Sequence, residues 1–301
     1  MDQSTLQMNG IKALSSSAPP TESGIHAQFL HLGTGAADSF FPLLESRGLR
    51  PALANVVQAE LRDFSGFAEN LKTWAAPGIN YFKSERGAPT TKVAASQVLK
   101  FLAQSVFNRL STTYLLTGRA ARLEELRFLP RGDSPWVELY LDPRIAEEDF
   151  QLDPANGPSE LFELAITIEE LVEATYASLG RRQIPPSVFY SSIAIGLSTP
   201  FLTMRRHGVA PQSVAPLMRL FLTSFGKKIN SGLVWKQRAV EGCTEIAPRR
   251  KACCLKYVLN NKPHLCSTCS RHNETLFFEQ VAQIGGHDQS PQQSHLEITN
   301  F

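Results

Sequence analysis

Four of the five cysteines of this 301-residue chain lie close together near its C-terminal end. Cys253 and Cys254 are adjacent, eleven residues follow, and Cys266 and Cys269 then form a CxxC pair. Cysteine thiolates gathered this closely are typical ligands of a metal ion or of an iron–sulfur cluster. The spacing therefore predicts a metal–thiolate centre, and the kind of metal decides what chemistry that centre can do.

The adjacent pair is the unusual part of the pattern. Zinc fingers and ribbons mostly present two spaced pairs, because neighbouring side chains diverge and close poorly on one tetrahedral ion. Iron–sulfur clusters also take four cysteine thiolates and occur with more varied spacings. Taken alone, the residues leave both a zinc site and an iron–sulfur cluster open.

The residues around the cysteines carry a family resemblance. The chain reads RRKACCLKY at 249–257 and, after a turn, HLCSTC at 264–269. The basic residues, the vicinal Cys-Cys-Leu with a Tyr soon after, and the terminal CxxC make segment 249–270 resemble the C-terminal [2Fe–2S] signature of the ferric siderophore reductases, the FhuF-like proteins. That pattern has about ten residues between the pairs and often a proline where Ser270 stands here. A one-residue change in loop length is easily absorbed.

This resemblance implies a cytoplasmic oxidoreductase that adds one electron to a Fe(III)–siderophore and so releases Fe(II). It implies a [2Fe–2S] cluster whose cofactor-binding and metal-ligating residues are Cys253, Cys254, Cys266 and Cys269. The substrate would be a ferric siderophore, and an external protein, either ferredoxin-like or a reductase, would supply the electron. No catalytic side chain beyond the cluster ligands is expected.

Two rival interpretations use the same four cysteines. In the first, they hold structural zinc in a non-enzymatic protein whose helical body binds a partner. In the second, the iron–sulfur cluster belongs to a sensor that has no ferric substrate. Zinc would leave the protein colourless and redox-silent, whereas turnover with a ferric chelate and a reductant would separate the reductase from the sensor.

The residues that adjoin the cysteines offer further candidates. Arg249, Arg250 and Lys251 could offset an anionic cluster, raise its potential, attract an acidic donor or contact an anionic siderophore; they could equally form an ordinary solvated turn. Cys243 is either a spare ligand or, as we expect, a small buried apolar residue.

Two histidines and an aromatic–basic segment complete the list of candidates. His264 and His272 flank the CxxC pair, and either could replace a cysteine as ligand, as in Rieske centres, or make hydrogen bonds instead. Trp235, Lys236 and Arg238 could line a substrate cavity, although Trp235 also fits an ordinary core position.

Composition and charge exclude several protein classes. The chain is 43% hydrophobic and 19% charged, with a formal net charge of +2, so neither a nucleic-acid partner nor a secreted disulfide framework is indicated. Met1–Pro20 has no apolar signal region. Ile184–Met204 lacks charges but contains three prolines, so we expect a buried interior segment and no stable membrane span.

The rest of the chain must position these cysteines, and its pattern is mainly helical. Apolar spacing and capping residues predict a long helix over Thr90–Thr117 that ends at Gly118, with one strand at Trp136–Leu141. Further helices are predicted at Leu49–Trp74 with a stop at Pro77-Gly78, at Ser159–Leu179 with Ser159 as the cap, at about Val214–Phe225, and after an Asn273 cap.

These elements indicate an α+β fold that is predominantly helical, with a small sheet and a C-terminal iron–sulfur binding module. The predicted organisation is a disordered lead (1–23), a helix-rich siderophore-reductase body (24–230), the [2Fe–2S]-binding module (231–284) and a flexible tail (285–301). We expect an intimate interface between body and module, because the substrate must approach the cluster closely.

Overall fold

The structure, a computed structural model, describes residues 24–49, 60–130, 137–145, 157–180, 183–240, 243–261, 265–275 and 277–278. The predicted lead and tail lie outside these described residues, as do Trp136 and His264. The described chain is helix-rich with two small antiparallel sheets, which confirms the predicted fold class.

The elements of the first half form helices around one hairpin. The helices are α1 (Ile25–Gly33), α2 (Phe40–Glu45), α3 (Phe64–Ser84), α4 (Thr91–Leu102) and α5 (Asn108–Thr117), with a π-helical turn at Ala103–Phe107 between the last two. After a 3₁₀ turn at Leu123–Glu125, β1 (Leu126–Pro130) pairs antiparallel with β2 (Val137–Leu141).

The second half carries the longest apolar helix and the second hairpin. It contains α6 (Gly157–Thr175) with a π-helical turn at Tyr176–Gly180, α7 (Pro186–Arg206), α8 (Pro211–Thr223), α9 (Lys227–Asn230), β3 (Leu233–Val240), β4 (Cys243–Arg250) and a 3₁₀ helix at Lys256–Asn261. Strands β3 and β4 pair antiparallel, with Leu233 opposite Arg250 and Val240 opposite Cys243. Sequence patterning missed β1, β3 and β4.

Helix α7 is the central element of the fold. It packs against α4, the π-helical turn after α4, α5, α8, α9 and both strands of the β3–β4 hairpin. By length and composition it is the one helix of the described chain that could cross a membrane, but 78% of its most apolar stretch is buried inside the fold. Pro186 stands in its first turn, where amide N–H groups have no partner within the helix. The N–H that proline lacks therefore costs no helical hydrogen bond.

The predicted helix Thr90–Thr117 is correct at both ends and interrupted in the middle. The Thr90 hydroxyl accepts a hydrogen bond from the Val93 amide at 3.3 Å, and Gly118 ends the helix at a φ of 74°. The interruption, at Ala103–Phe107, faces α7, where Gly196 comes so close that an added Cβ would lie 2.6 Å from the Ala103 carbonyl oxygen. A glycine and a widened turn thus let two buried helices approach.

The predicted helix Leu49–Trp74 is wrong at its C-terminal end, and residues 50–59 of its predicted first part lie outside the described residues. The described helix begins at Phe64, because the Asp63 carboxylate caps it by accepting a hydrogen bond from the Gly66 amide at 2.9 Å. It continues through Pro77 to Ser84. Pro77 and Thr73 are both exposed, so the carbonyl that loses its helical partner can bind water instead.

Two other helix boundaries also differ from the sequence prediction. Helix α6 begins at Gly157, so Ser159 lies in its first turn and is not the cap. Helix α8 begins three residues earlier than predicted, at Pro211, because proline suits the first helical position.

The β3–β4 hairpin is seated directly on the α7 backbone. A Cβ at Gly232, just before β3, would lie 2.5 Å from the Tyr190 carbonyl group. The buried Ser191 hydroxyl donates to the Gly232 carbonyl at 2.7 Å and accepts from the Ala252 amide at 3.2 Å. At the other end of α7, Arg205 pairs with Glu245 of β4 at 3.0 Å. The segments predicted as body (24–230) and module (231–284) therefore share one buried contact surface.

Replacing Gly196 with Ala is expected to lower the free energy of unfolding by about 1–3 kcal/mol, because the new methyl group overlaps the Ala103 carbonyl. Chemical denaturation monitored by circular dichroism measures this. The control is Gly35→Ala, whose methyl group meets only the Leu32 carbonyl oxygen at 3.5 Å. Equal stabilities of the two variants would contradict the close packing.

Candidate metal centre

The end of β4 and the CxxC turn are joined by backbone hydrogen bonds. The Arg250 amide donates to the Thr268 carbonyl at 2.9 Å, and the Lys251 amide donates to the Gly232 carbonyl at 2.9 Å. The turn itself closes when the Cys269 amide donates to the Cys266 carbonyl at 2.9 Å. Because the strand end is fixed, the vicinal cysteines that follow it meet the CxxC turn.

All four clustered cysteines come together, as two close pairs of sulfur atoms. The Sγ atoms of the outer pair, Cys253 and Cys269, are 3.5 Å apart, and those of the inner pair, Cys254 and Cys266, are also 3.5 Å apart. Each pair takes one cysteine from the vicinal dipeptide and one from the CxxC turn. In the described part of the chain, no three His, Cys, Asp or Glu side chains form a ready ligand set around one point.

The spacing within each pair suits two ligands of one metal ion. For tetrahedral coordination with metal–sulfur bonds of about 2.3 Å, two ligand sulfurs lie about 3.8 Å apart. A [2Fe–2S] cluster takes four thiolates, two on each iron. The two 3.5 Å contacts, which a Cys253–Cys254 hydrogen bond links, fit the two-by-two donor set of a two-iron cluster, whereas one zinc ion would need all four sulfurs around a single point.

Backbone amides point at the outer pair. The Leu255 amide donates to Cys253 Sγ at 3.3 Å, and the Arg271 amide donates to Cys269 Sγ at 3.5 Å. Leu255 adopts a φ of 63°, a left-handed conformation that is strained for leucine. This strained turn directs its amide at the sulfur, and such hydrogen bonds stabilise a thiolate and tune a bound cluster.

The helical body and His272 hold the backbone of the inner pair. The buried Gln97 side chain of α4 donates to the Cys254 carbonyl. The His272 ring donates through Nε2 to the Cys266 carbonyl at 2.8 Å, so this histidine supports the CxxC turn through the backbone. His264 lies outside the described residues.

The fifth cysteine lies far from the other four along the hairpin. The backbone of Cys243 is at the opposite end of β4 from Arg250, about 23 Å away for a rise of about 3.3 Å per residue. Its side chain is outside the described part of the structure. The strand geometry opposes a role as a spare ligand.

Each pair combines one acidic and one weakly acidic thiol. Hydrogen bonds from Cys253 and Cys266 hold the pKa of Cys254 well below its usual value, and the positive charges of Arg250 and Lys100 lower it further. A hydrogen bond from Cys253 lowers the pKa of Cys269 to about 7. The hydrogen-bonded partners, Cys253 and Cys266, have raised pKa values. One thiol in each pair, Cys254 or Cys269, is thus favoured as the thiolate.

The three basic residues before the cysteines have different environments. Arg250 is 3% exposed, and its Nη1 donates to Ser192 Oγ of α7 at 3.0 Å. Arg249 points to the other face of the strand, where it donates to the His272 carbonyl at 3.2 Å and lies 5.9 Å from the Phe277 ring centre. Lys251 is exposed.

The residues that could have lined a substrate cavity make structural contacts. Trp235 packs partly buried against the core, 5.4 Å beneath the Arg219 guanidinium. Arg238 pairs with Glu245 at 2.7 Å and lies 4.7 Å from the Phe278 ring centre. Lys236 is half-buried on the same strand.

The helical residues after the cysteines cover the hairpin. Phe277 and Phe278 are fully buried and form a small cluster with Ala247 of β4. The described part of the helix predicted after Asn273 packs on β4, and its residues beyond 278 lie outside the described chain.

Comparison with protein-family models finds no match to this chain, and comparison with curated proteins finds none either. The interpretation of the four-cysteine centre therefore rests on the chain's own residues and their geometry.

The pairing of the sulfurs can be tested on metal-free protein in a Cys243→Ser background. With oxidised glutathione, Cys253→Ser/Cys269→Ser is expected to form one disulfide at least tenfold faster than Cys253→Ser/Cys266→Ser. The first variant keeps the inner pair, whereas the second leaves one cysteine from each pair. Two thiols are oxidised as one glutathione disulfide is reduced, and alkylation followed by mass spectrometry counts the thiols that remain. Equal rates would contradict the pairing.

Proposed function

We propose that this chain is a ferric siderophore reductase that binds a [2Fe–2S] cluster through Cys253, Cys254, Cys266 and Cys269. The observation that carries the proposal is the arrangement of four sulfurs as two pairs, each 3.5 Å across. The buried guanidinium of Arg250 beside them supports an anionic occupant. The resemblance of segment 249–270 to the C-terminal signature of that family supplies the substrate class.

When bound, a [2Fe–2S] cluster supplies one electron at a time, which suits the conversion of Fe(III) to Fe(II). The substrate ion is a hard cation held tightly by oxygen chelators such as hydroxamates. After it gains one electron, those ligands hold it far less strongly, and the iron can leave. This reaction needs no general acid or base from the chain.

The chain's own residues hold, orient and partly shield the centre. The Leu255 and Arg271 amides donate to the outer pair, and Gln97 fixes the backbone of the inner pair. Cys253 and Cys266 are partly exposed, while Cys254 and Cys269 are buried. One edge of the centre thus remains within reach of a ferric chelate and of an electron donor.

The partners follow from the same chemistry. We propose that an external protein, ferredoxin-like or a reductase, delivers the electrons one at a time to the cluster. We place the reaction in the cytoplasm, where a ferric siderophore would arrive after import. Arg271, exposed and stacked 4.3 Å from the Tyr257 ring centre, adds positive charge to the accessible side.

The decisive experiment is the visible absorption spectrum of protein purified without oxygen, before and after dithionite, with iron, sulfide and zinc assayed on the same sample. We expect a brown protein with about two irons and two sulfides per chain that bleaches on reduction. A colourless protein with about one zinc and no sulfide, after cluster reconstitution, would overturn the proposal. Turnover of ferric siderophores then separates a reductase from a sensor.

Single replacements test the ligand set. Changing any one of the four clustered cysteines to Ser is expected to remove most of the iron and the visible absorption, because a hydroxyl is a poor substitute for a thiolate ligand. Cys243→Ser, the matched control, is expected to keep the wild-type iron and sulfide content. Full cluster retention in Cys254→Ser would contradict the assignment.

A further inference from the structure

We infer that the buried guanidinium of Arg250 is the counter-charge of the four-cysteine centre and holds its reduction potential up. The inference deepens the proposed function and rests on it for the redox part. The electrostatic part of the inference is that this one cation stabilises negative charge on the four sulfurs. That part applies to any metal–thiolate occupant.

The first step is the isolation of the Arg250 charge. The residue is 3% exposed, and the described residues provide no acidic partner for it. Its Nη1 donates to the neutral Ser192 hydroxyl at 3.0 Å, and its Nε has no hydrogen-bond partner. A buried cation is strongly destabilising unless an anion compensates it. Burial of this guanidinium therefore favours a nearby anion, and none of the ion pairs in the described chain supplies one.

The second step identifies that anion. The Arg250 amide donates to the Thr268 carbonyl of the CxxC turn, and Arg250 stands three residues before Cys253, so this buried residue adjoins the segment that carries the cysteines. Its positive charge acts on Cys254, Cys266 and Cys269, and it lowers the pKa of Cys254. Four thiolates on two ferric ions and two sulfides carry a net negative charge, and reduction adds one more. Positive charge nearby favours the reduced form, so it raises the potential.

A second cation approaches from the helical body. Gln97 of α4 holds the Cys254 carbonyl, and Lys100 lies one turn later on the same helix. Its charge also acts on Cys254 and Cys266. A strand cation and a helix cation thus both act on the inner pair, whereas the outer pair receives backbone amides. Lys100 is partly exposed, so its effect is screened more than that of Arg250.

A purely structural role for Arg250 makes a different prediction. In that case the side chain would only tie β4 to α7 through Ser192. Ser192→Ala removes this tie and keeps the charge. Arg249→Met removes a neighbouring charge from the opposite face of the strand, where the guanidinium contacts His272 and Phe277. These two variants are the matched controls.

The redox arm uses the full chain with its cluster, titrated against dithionite and followed by visible absorption. At a fixed solution potential, Arg250→Met is expected to lower the ratio of reduced to oxidised cluster at least tenfold. This corresponds to a fall of 59 mV in the midpoint potential of a one-electron couple. Arg250→Lys keeps a positive charge at this position, so it should retain most of the wild-type ratio. Ser192→Ala and Arg249→Met should each change the ratio less than threefold.

The metal-affinity arm uses metal-free protein titrated with Co²⁺, whose thiolate charge-transfer band reports binding. Arg250→Met is expected to weaken Co²⁺ binding at least tenfold, with the controls close to wild type. If the protein purifies with zinc and forms no cluster, the proposed function fails, and this arm still decides the role of Arg250.

Two results would overturn the inference. One is an unchanged potential and an unchanged Co²⁺ affinity in Arg250→Met; the other is an equal loss in Arg249→Met. Circular dichroism establishes that each variant is folded. If Arg250→Met does not fold, Lys100→Met tests the same charge balance from α4, with a smaller loss of the same sign expected and no loss counting against the inference.

Discussion

The close contact between the β3–β4 hairpin and the backbone of α7 is the constraint on which the position of the four clustered cysteines depends. Gly232 leaves no room for a side chain against Tyr190, and the Ser191 hydroxyl bonds both the residue before β3 and the residue before the vicinal cysteines. The two ends of the hairpin are therefore fixed against one turn of one helix. The cysteines follow this anchored point directly, so the core of the body sets their position.

The centre combines parts that are distant in sequence. The sulfurs come from the C-terminal segment, but Gln97 and Lys100 on α4 and Ser192 on α7 come from the body. The predicted boundary between body and module at residue 231 thus falls where the two segments make many contacts with each other. If Arg250 is the counter-charge of the centre, folding of the helical body and formation of the centre are energetically coupled, because the buried guanidinium needs the negative charge of the sulfurs.

Local rules predicted part of this structure. The four cysteines, the Thr90 cap, the Gly118 stop and the buried character of α7 follow from residue type and short-range spacing. The nested pairing of the sulfurs and the inward position of Arg250 depend on the register of a hairpin that sequence patterning missed. The start of α3 at Phe64 and its passage through Pro77 depend on a cap and on solvent exposure, which apolar spacing does not report.

The two sulfur pairs are nested along the chain, because the contact between Cys254 and Cys266 lies inside the segment closed by Cys253 and Cys269. During synthesis, the inner pair is complete three residues before the outer pair. Both pairs emerge from the ribosome only after the helical body has been made. A nascent chain thus acquires its clustered cysteines after the helical body, at a time when the scaffold that shields their thiols from oxidants can already be in place.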